Sequence, residues 1–263
     1  MIVSDRTAKL ILTIDRFALN LARHWLLCVN VILGMLVLTP LAAPIFMRIG
    51  ATSIGDAIYL IYSFLCHQLP QRSYFLFGPK ISYSLAEIGK VWNYGDDFFY
   101  LRQFIGNDAM GWKVAWSDRM VSMYGSLWIG GLLFALFRKN IPRLSPVAWL
   151  LLAIVPMGLD GFSHMINDIV AGVSGTGFRD TNVWLQFLTF NIFPAAFYAG
   201  DALGSFNSLA RLVTGALFGL TTIWLIYPWV DTAMQDVVRQ ARSKLASPHA
   251  ISLGRVASQQ EGK

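Results

Sequence analysis

The chain has 263 residues, 55% of them hydrophobic and only 14% charged, with a net charge of +6 and two cysteines. A soluble domain carries about 25% charged residues, so an ordinary soluble enzyme, a disordered chain and a disulfide-rich scaffold are all excluded. The apolar residues fall in long runs, 25–47, 120–137, 144–159, 183–199 and 212–230, with 54–66 as a shorter run that contains Asp56. Runs near 20 residues match the roughly 30 Å hydrocarbon core of a bilayer. The fold class expected is an all-α polytopic transmembrane bundle of about five hydrophobic segments.

In chain order, residues 1–24 hold an expected amphipathic helix. Leu10, Ile14, Phe17, Leu21 and Trp25 recur at helical spacing, with Arg6, Lys9, Arg16 and Arg23 largely off that stripe. Such a helix can lie at a membrane interface or extend the first span. The membrane domain is expected over 25–230. Its first span, 25–47, is broken near its end by Pro40 and Pro44. Run 54–66 is a tilted span, a re-entrant limb or a shielded helix, because Asp56 is costly against lipid. A polar excursion, 67–116, mixes Trp92, Tyr94, Phe98, Phe99, Tyr100, Trp112 and Trp116 with charged groups, as suits the headgroup level.

The next span starts near 118, where Ser122, Ser126 and Gly130 form a stripe that lets another helix approach closely. A basic turn with Arg138, Lys139 and Arg143 leads into a span at about 144–164. The second excursion, 165–207, includes the apolar piece 183–199, expected to be interfacial or re-entrant. The last span holds the small pair Gly215 and Gly219, and the tail 231–263 ends polar. Basic loops stay cytoplasmic, so the 138–145 turn and the tail are expected there and both excursions opposite. No compact basic domain remains for a nucleic acid; membrane lipid and other membrane proteins are the expected partners.

On this topology four chemically rich places meet at one membrane face. They are Cys66, His67 and Gln68 with Arg72 and Ser73, then Ser117, Asp118 and Arg119, then Asp160 and His164, and finally Asn207 and Arg211. Asp160, His164, Asn167 and Asp168 share one side of a helix. Ionisable residues at this depth face a protein interior or a wet cavity, so a shared polar cavity is expected.

The string Cys66-His67-Gln68-Leu69-Pro70-Gln71-Arg72-Ser73 resembles the C-H-Q-x-P-x-R-S signature of a bacterial and archaeal membrane family, domain of unknown function 2085. Ser117 to Ser126, with Arg119 and Tyr124, resembles its C-x-R-C-x-G-x-Y-x-G element. Leu159-Asp160-Gly161 resembles its D-G element, and Asn207 to Gly219, with Arg211, Thr214 and Gly215, its N-x-x-R-x-x-T-G element. The stretch from Gly177 to Asn182 and on through Gly200 to Asn207 resembles an insert of a subset of the family. Ser117 and Met120 stand where the family has two cysteines, and His164 where glutamine is common. The resemblance implies a fold, a plasma-membrane location in a bacterium or archaeon and a residue set, without a reaction.

Several chemistries fit these residues. Cys66, His67, Asp160 and His164 make a mixed sulfur, nitrogen and oxygen ligand set, for which zinc is the candidate metal. For catalysis the candidates are His67, Asp160 and His164, with Asp160 or His164 as base and Ser73 or Cys66 as nucleophile. For ligand binding they are Gln68, Arg72, Ser73, Asp118, Arg119, Asn207 and Arg211, the arginines holding phosphate or carboxylate or pairing with Asp118, Asp160 or Asp201. The function expected is a polar pocket at one membrane face that binds a lipid headgroup, an anionic small molecule or a metal, with catalysis as a candidate role. The alternative is a non-catalytic structural or assembly subunit of a membrane complex.

Overall fold

The computed structural model describes residues 5–93, 95, 97–138 and 141–245, with side chains from Leu10 onward. The expectations for the side chains of Arg6 and Lys9, for Tyr94 and Lys139, and for the tail beyond 245 lie outside the described residues.

Helix α1 runs unbroken over Asp5–Arg48. Of the two readings of the stretch up to residue 24, the continuous helix matches an extension of the first span, and no proline interrupts the chain before Pro40. Nor do Pro40 and Pro44 end the helix. A proline frees the carbonyl four residues earlier, which for Pro40 is Leu36. That oxygen is taken up by the Trp116 indole and the Tyr62 hydroxyl, each donating at 3.3 Å. Pro40 itself is fully buried where these partners pack.

After a tight turn at Gly50, φ +81°, helix α2 (Thr52–Ser63) folds back along α1, with Gly55 lying against Met47. Its 12 residues reach about 18 Å, too short to cross. The first excursion then forms a small antiparallel sheet, β1 (Ser73–Leu76), β2 (Gly106–Asn107) and β3 (Gly111–Ser117), in the order β1-β3-β2. Ser73 pairs with Ser117 and Phe75 with Lys113. Phe75, Tyr83, Phe104, Ile88 and Leu101 pack one cluster beneath it.

Strand β3 runs directly into α3 (Asp118–Phe137), and Ser145 caps α4 (Pro146–Ala171) by accepting from Ala148 N. Helix α4 contains a wide π turn at Leu150–Ile154 just before Pro156, a common way to absorb a missing backbone donor. The piece 183–199 is not one helix but two short ones, Val183–Leu188 and Ala195–Tyr198. Phe187, Phe190 and Ile192 stay exposed there, leaving an apolar face suited to a lipid interface. Helix α5 (Phe206–Leu245) closes the bundle.

Four helices, α1, α3, α4 and α5, are long and apolar enough to cross a membrane. The molecule is an all-α membrane bundle with a small sheet at one end. The two small-residue stripes meet each other. A Cβ on Gly215 would stand 3.0 Å from Arg119 O, and one on Gly219 would stand 1.9 Å from Ser126 Oγ. That close approach sets α5 against α3 and places Arg211 beside Asp118. At the opposite end Arg138 pairs with Asp231, Trp25 donates to the same carboxylate, and Arg143 lies 4.4 Å from the Trp229 ring centroid. The start of the first span, the 138–145 turn and the far part of α5 therefore share one end, and the sheet and the second excursion share the other.

Candidate functional site

The sheet end holds an extended network of buried ion pairs. Arg72 forks onto Asp168 with two bonds of 2.8 Å and donates from Nε to Asp201 at 2.7 Å. Asp201 accepts from Arg211 Nη1 at 2.7 Å, and Arg211 in turn forks onto Asp118 at 2.8 Å through Nε and Nη2. Asp160 is held from two sides, by Arg119 Nη2 and by Arg179 Nη2, each at 2.7 Å. The residues come from the 66–73 segment, α3, α4, the second excursion and α5. Each needs a partner because an unpaired charge taken out of water is expensive.

Charge balance sets the electrostatics. Burial works against the charged form of Arg72, but Asp201 and Asp168 outweigh it and hold the guanidinium above its ordinary range. Burial pushes Asp201 up, yet Arg72 and Arg211 hold its carboxyl well below the usual carboxylate range. His67 is shifted down by burial and by Arg102 and Arg72, so its ring is neutral at pH 7.

Beside the network lies a cavity of about 360 Å³. Its wall includes Cys66, His67, Gln68, Arg72, Ser117, Arg119, His164, Asp168 and Arg211, with Leu69, Phe98, Met120, Met165 and Ile169 on the apolar side. The cluster Arg72, Arg119, Arg179 and Arg211 against Asp118, Asp160, Asp168 and Asp201 is neutral as a whole. It is not neutral at the wall, which carries three of the guanidiniums and only the Asp168 carboxylate.

Two donors just behind that wall are unspent. Arg179 Nη2 approaches His164 Nε2 at 3.0 Å. A guanidinium can only donate, so Nε2 accepts and the neutral ring carries its proton on Nδ1. That Nδ1 and Arg119 Nε are buried with no hydrogen-bond partner among the described residues.

The expected site residues divide into three groups. Cys66, His67, Gln68, Arg72, Arg119, His164 and Arg211 line the cavity. Asp118 and Asp160 lie behind it, fixing arginines. Ser73 and Asn207 are not on the cavity wall: Ser73 Oγ donates to Leu69 O, and the Asn207 amide donates to Arg179 O and Gly200 O, tying the second excursion to α5. Gln68 adopts φ +53°, and its amide donates to Tyr59 O at 2.8 Å, anchoring backbone that L residues enter reluctantly.

The proposed zinc set does not assemble. Among the described residues no three His, Cys, Asp or Glu side chains converge as a metal site. Cys66 Sγ accepts from Gln68 N and Ser117 N, His164 Nε2 is occupied by Arg179, and the His67 ring packs edge-on against Phe98. Cys66, His67, Asp160 and His164 therefore do not fit a resident metal.

Arg179, Asp201 and Lys113 were not among the expected site residues. Arg179 and Asp201 sit in the two pieces that resemble the family insert, and Asp168 shares its helix side with Asp160 and His164, which was the available signal. Lys113 gave none. It is fully buried on β3, and its Nζ donates to Gln68 O at 2.7 Å and Arg102 O at 2.6 Å. Burial, with no carboxylate beside it, pulls its ammonium down to about 7.

Comparison with known proteins locates these residues in a wider group. The family model described as "Predicted membrane protein (DUF2085)" matches this sequence. The chain matches this family over residues 108–225. The matched segment contains Lys113, Asp118, Arg119, Asp160, His164, Arg179, Asp201, Asn207 and Arg211, whereas the Cys66–Ser73 string lies ahead of it. The sequence is also 25% identical over 192 residues to "Uncharacterized protein MJ1492" of Methanocaldococcus jannaschii, covering 71% of this chain and 80% of that protein. No solved structure matches.

Proposed function

We propose that this membrane-embedded protein binds an anionic group, phosphate or carboxylate, in the cavity bounded by Arg72, Arg119, His164 and Arg211. The observation that carries this reading is the uneven wall, three guanidiniums against one carboxylate, with the Arg119 Nε and His164 Nδ1 donors unspent in the layer just behind it. Arginine in a rigid setting suits planar and tetrahedral oxyanions, since its donors are fixed in a fork. The ion pairs hold those forks in place before any ligand arrives, which lowers the ordering cost of binding. Asp160, engaged by two arginines, is a positioning residue in this account. His67, neutral beside Phe98 on the cavity wall, supplies a further donor or acceptor. We further propose that the 138–145 turn and the tail face the cytoplasm, so the cavity opens on the far leaflet.

The test is thermal unfolding of the detergent-solubilised protein with glycerol 3-phosphate or glycerol. Glycerol 3-phosphate is expected to raise the Tm of the wild type but not of Arg119→Gln, and glycerol to raise neither. An equal rise in both proteins, or none in the wild type, contradicts the reading.

A further inference from the structure

A second depression, about 350 Å³, shares Arg119, Gly161 and Met165 with the polar cavity. It runs back along α4 from Met165 to Ile154, with Phe218 of α5 on its other side. Apart from Arg119 its lining is apolar, and it lies on helices long and apolar enough to cross a membrane. From Met165 to Ile154 the helix descends about 16 Å. Half of a hydrocarbon core roughly 30 Å thick is about 15 Å, so the groove is about as long as one leaflet is deep.

Resting on the anion-site reading, we infer that the ligand is a membrane lipid with an anionic headgroup. It enters sideways from the leaflet, its head against Arg119 and His164 and one acyl chain in the α4 groove. The two spaces adjoin at Arg119, and that juxtaposition of an apolar groove with a cationic site selects this occupant. A soluble anion needs only the cavity, and a purely apolar partner helix would fill the groove without offering the arginine an anion. Gly158 keeps the groove open: a Cβ there meets only Phe162, at 3.9 Å, so a larger side chain is accommodated by filling the groove rather than by displacing α4.

The experiment titrates wild type, Gly158→Leu and Arg119→Gln with dioleoyl phosphatidic acid in micelles and with glycerol 3-phosphate. Wild type is expected to bind the lipid at least about tenfold more tightly than the soluble phosphate, roughly 1.4 kcal/mol. Gly158→Leu should lose that gain while keeping the glycerol 3-phosphate affinity, and Arg119→Gln should lose both ligands. Wild-type lipid affinity in Gly158→Leu overturns the acyl groove and leaves the anion site standing. Undiminished binding of both ligands by Arg119→Gln overturns the two together. A phosphatidic acid carrying a diazirine in its acyl chain provides a readout on the unmodified protein. Crosslinks concentrated in the 154–165 peptide support the groove, and crosslinks spread evenly over the other helices contradict it.

Discussion

At the scale of single residues, Lys113 is the sharpest departure from what a surface-charge reading of the sequence suggests. Its ammonium sits in the interior on two carbonyls and no carboxylate, bracing the 66–72 segment against the sheet. With a folded pKa lowered from 10.5 to about 7, the unfolded chain binds more protons than the folded one between those values. Stability must therefore rise with pH across roughly 7 to 10 and be lowest below 7, by an amount on the order of a few kcal/mol. Lys113→Met, which keeps the stem and removes the charge, is expected to flatten that rise in thermal unfolding measured against pH. The same slope in both proteins would show that Lys113 is not its source. Asp201 has the opposite sign. Its folded pKa is depressed, so its contribution is present above the ordinary carboxylate range and is lost only as pH falls through the lower folded value.

At the scale of elements, the long spans were legible because bilayer chemistry writes them into composition, and the small-residue stripes because close helix approach admits little else. Gly219 makes this testable. A Cβ there meets Met123 O at 2.5 Å as well as Ser126 Oγ, while one on Gly125 meets nothing within 4 Å. Gly219→Ala should destabilise the fold by about 1–3 kcal/mol, read as a fall in Tm, and Gly125→Ala should not; equal effects would mean that the α3–α5 approach is not tight. Other elements were hidden. Pro40 looked like a helix end because the rescue of Leu36 O by Trp116 and Tyr62 comes from residues far along the chain. The β1 and β3 strands are too short and too aromatic to separate from an interfacial loop. The network was half visible. Asp118, Arg119, Asp160 and Arg211 lie at helix ends that topology brings together, whereas Arg179 and Asp201 are delivered by an excursion whose path depends on Asn182 and Asn207.

At the scale of the whole molecule, the four long apolar helices place both polar excursions at one end and the basic turn at the other. Ser145→Cys, on the exposed start of α4, is expected to resist an impermeant maleimide in intact cells and to react after permeabilisation. Labelling of intact cells would reverse the proposed orientation. The two ends differ in chemistry. The turn end is tied by Arg138–Asp231 and the edge-on rings of Trp25, Phe134 and Tyr227, and the sheet end by a dense network of buried charges that is costly unless fully paired. Removing one partner from such a pair typically costs about 3–5 kcal/mol. A network of this kind, beside a cavity wall with three guanidiniums and one carboxylate, is what the proposed anion site would require. The most direct measurement is native mass spectrometry of the protein released from its own membrane. The wild type should carry one anionic lipid that Arg119→Gln lacks; identical lipid adducts on the two proteins would contradict the account.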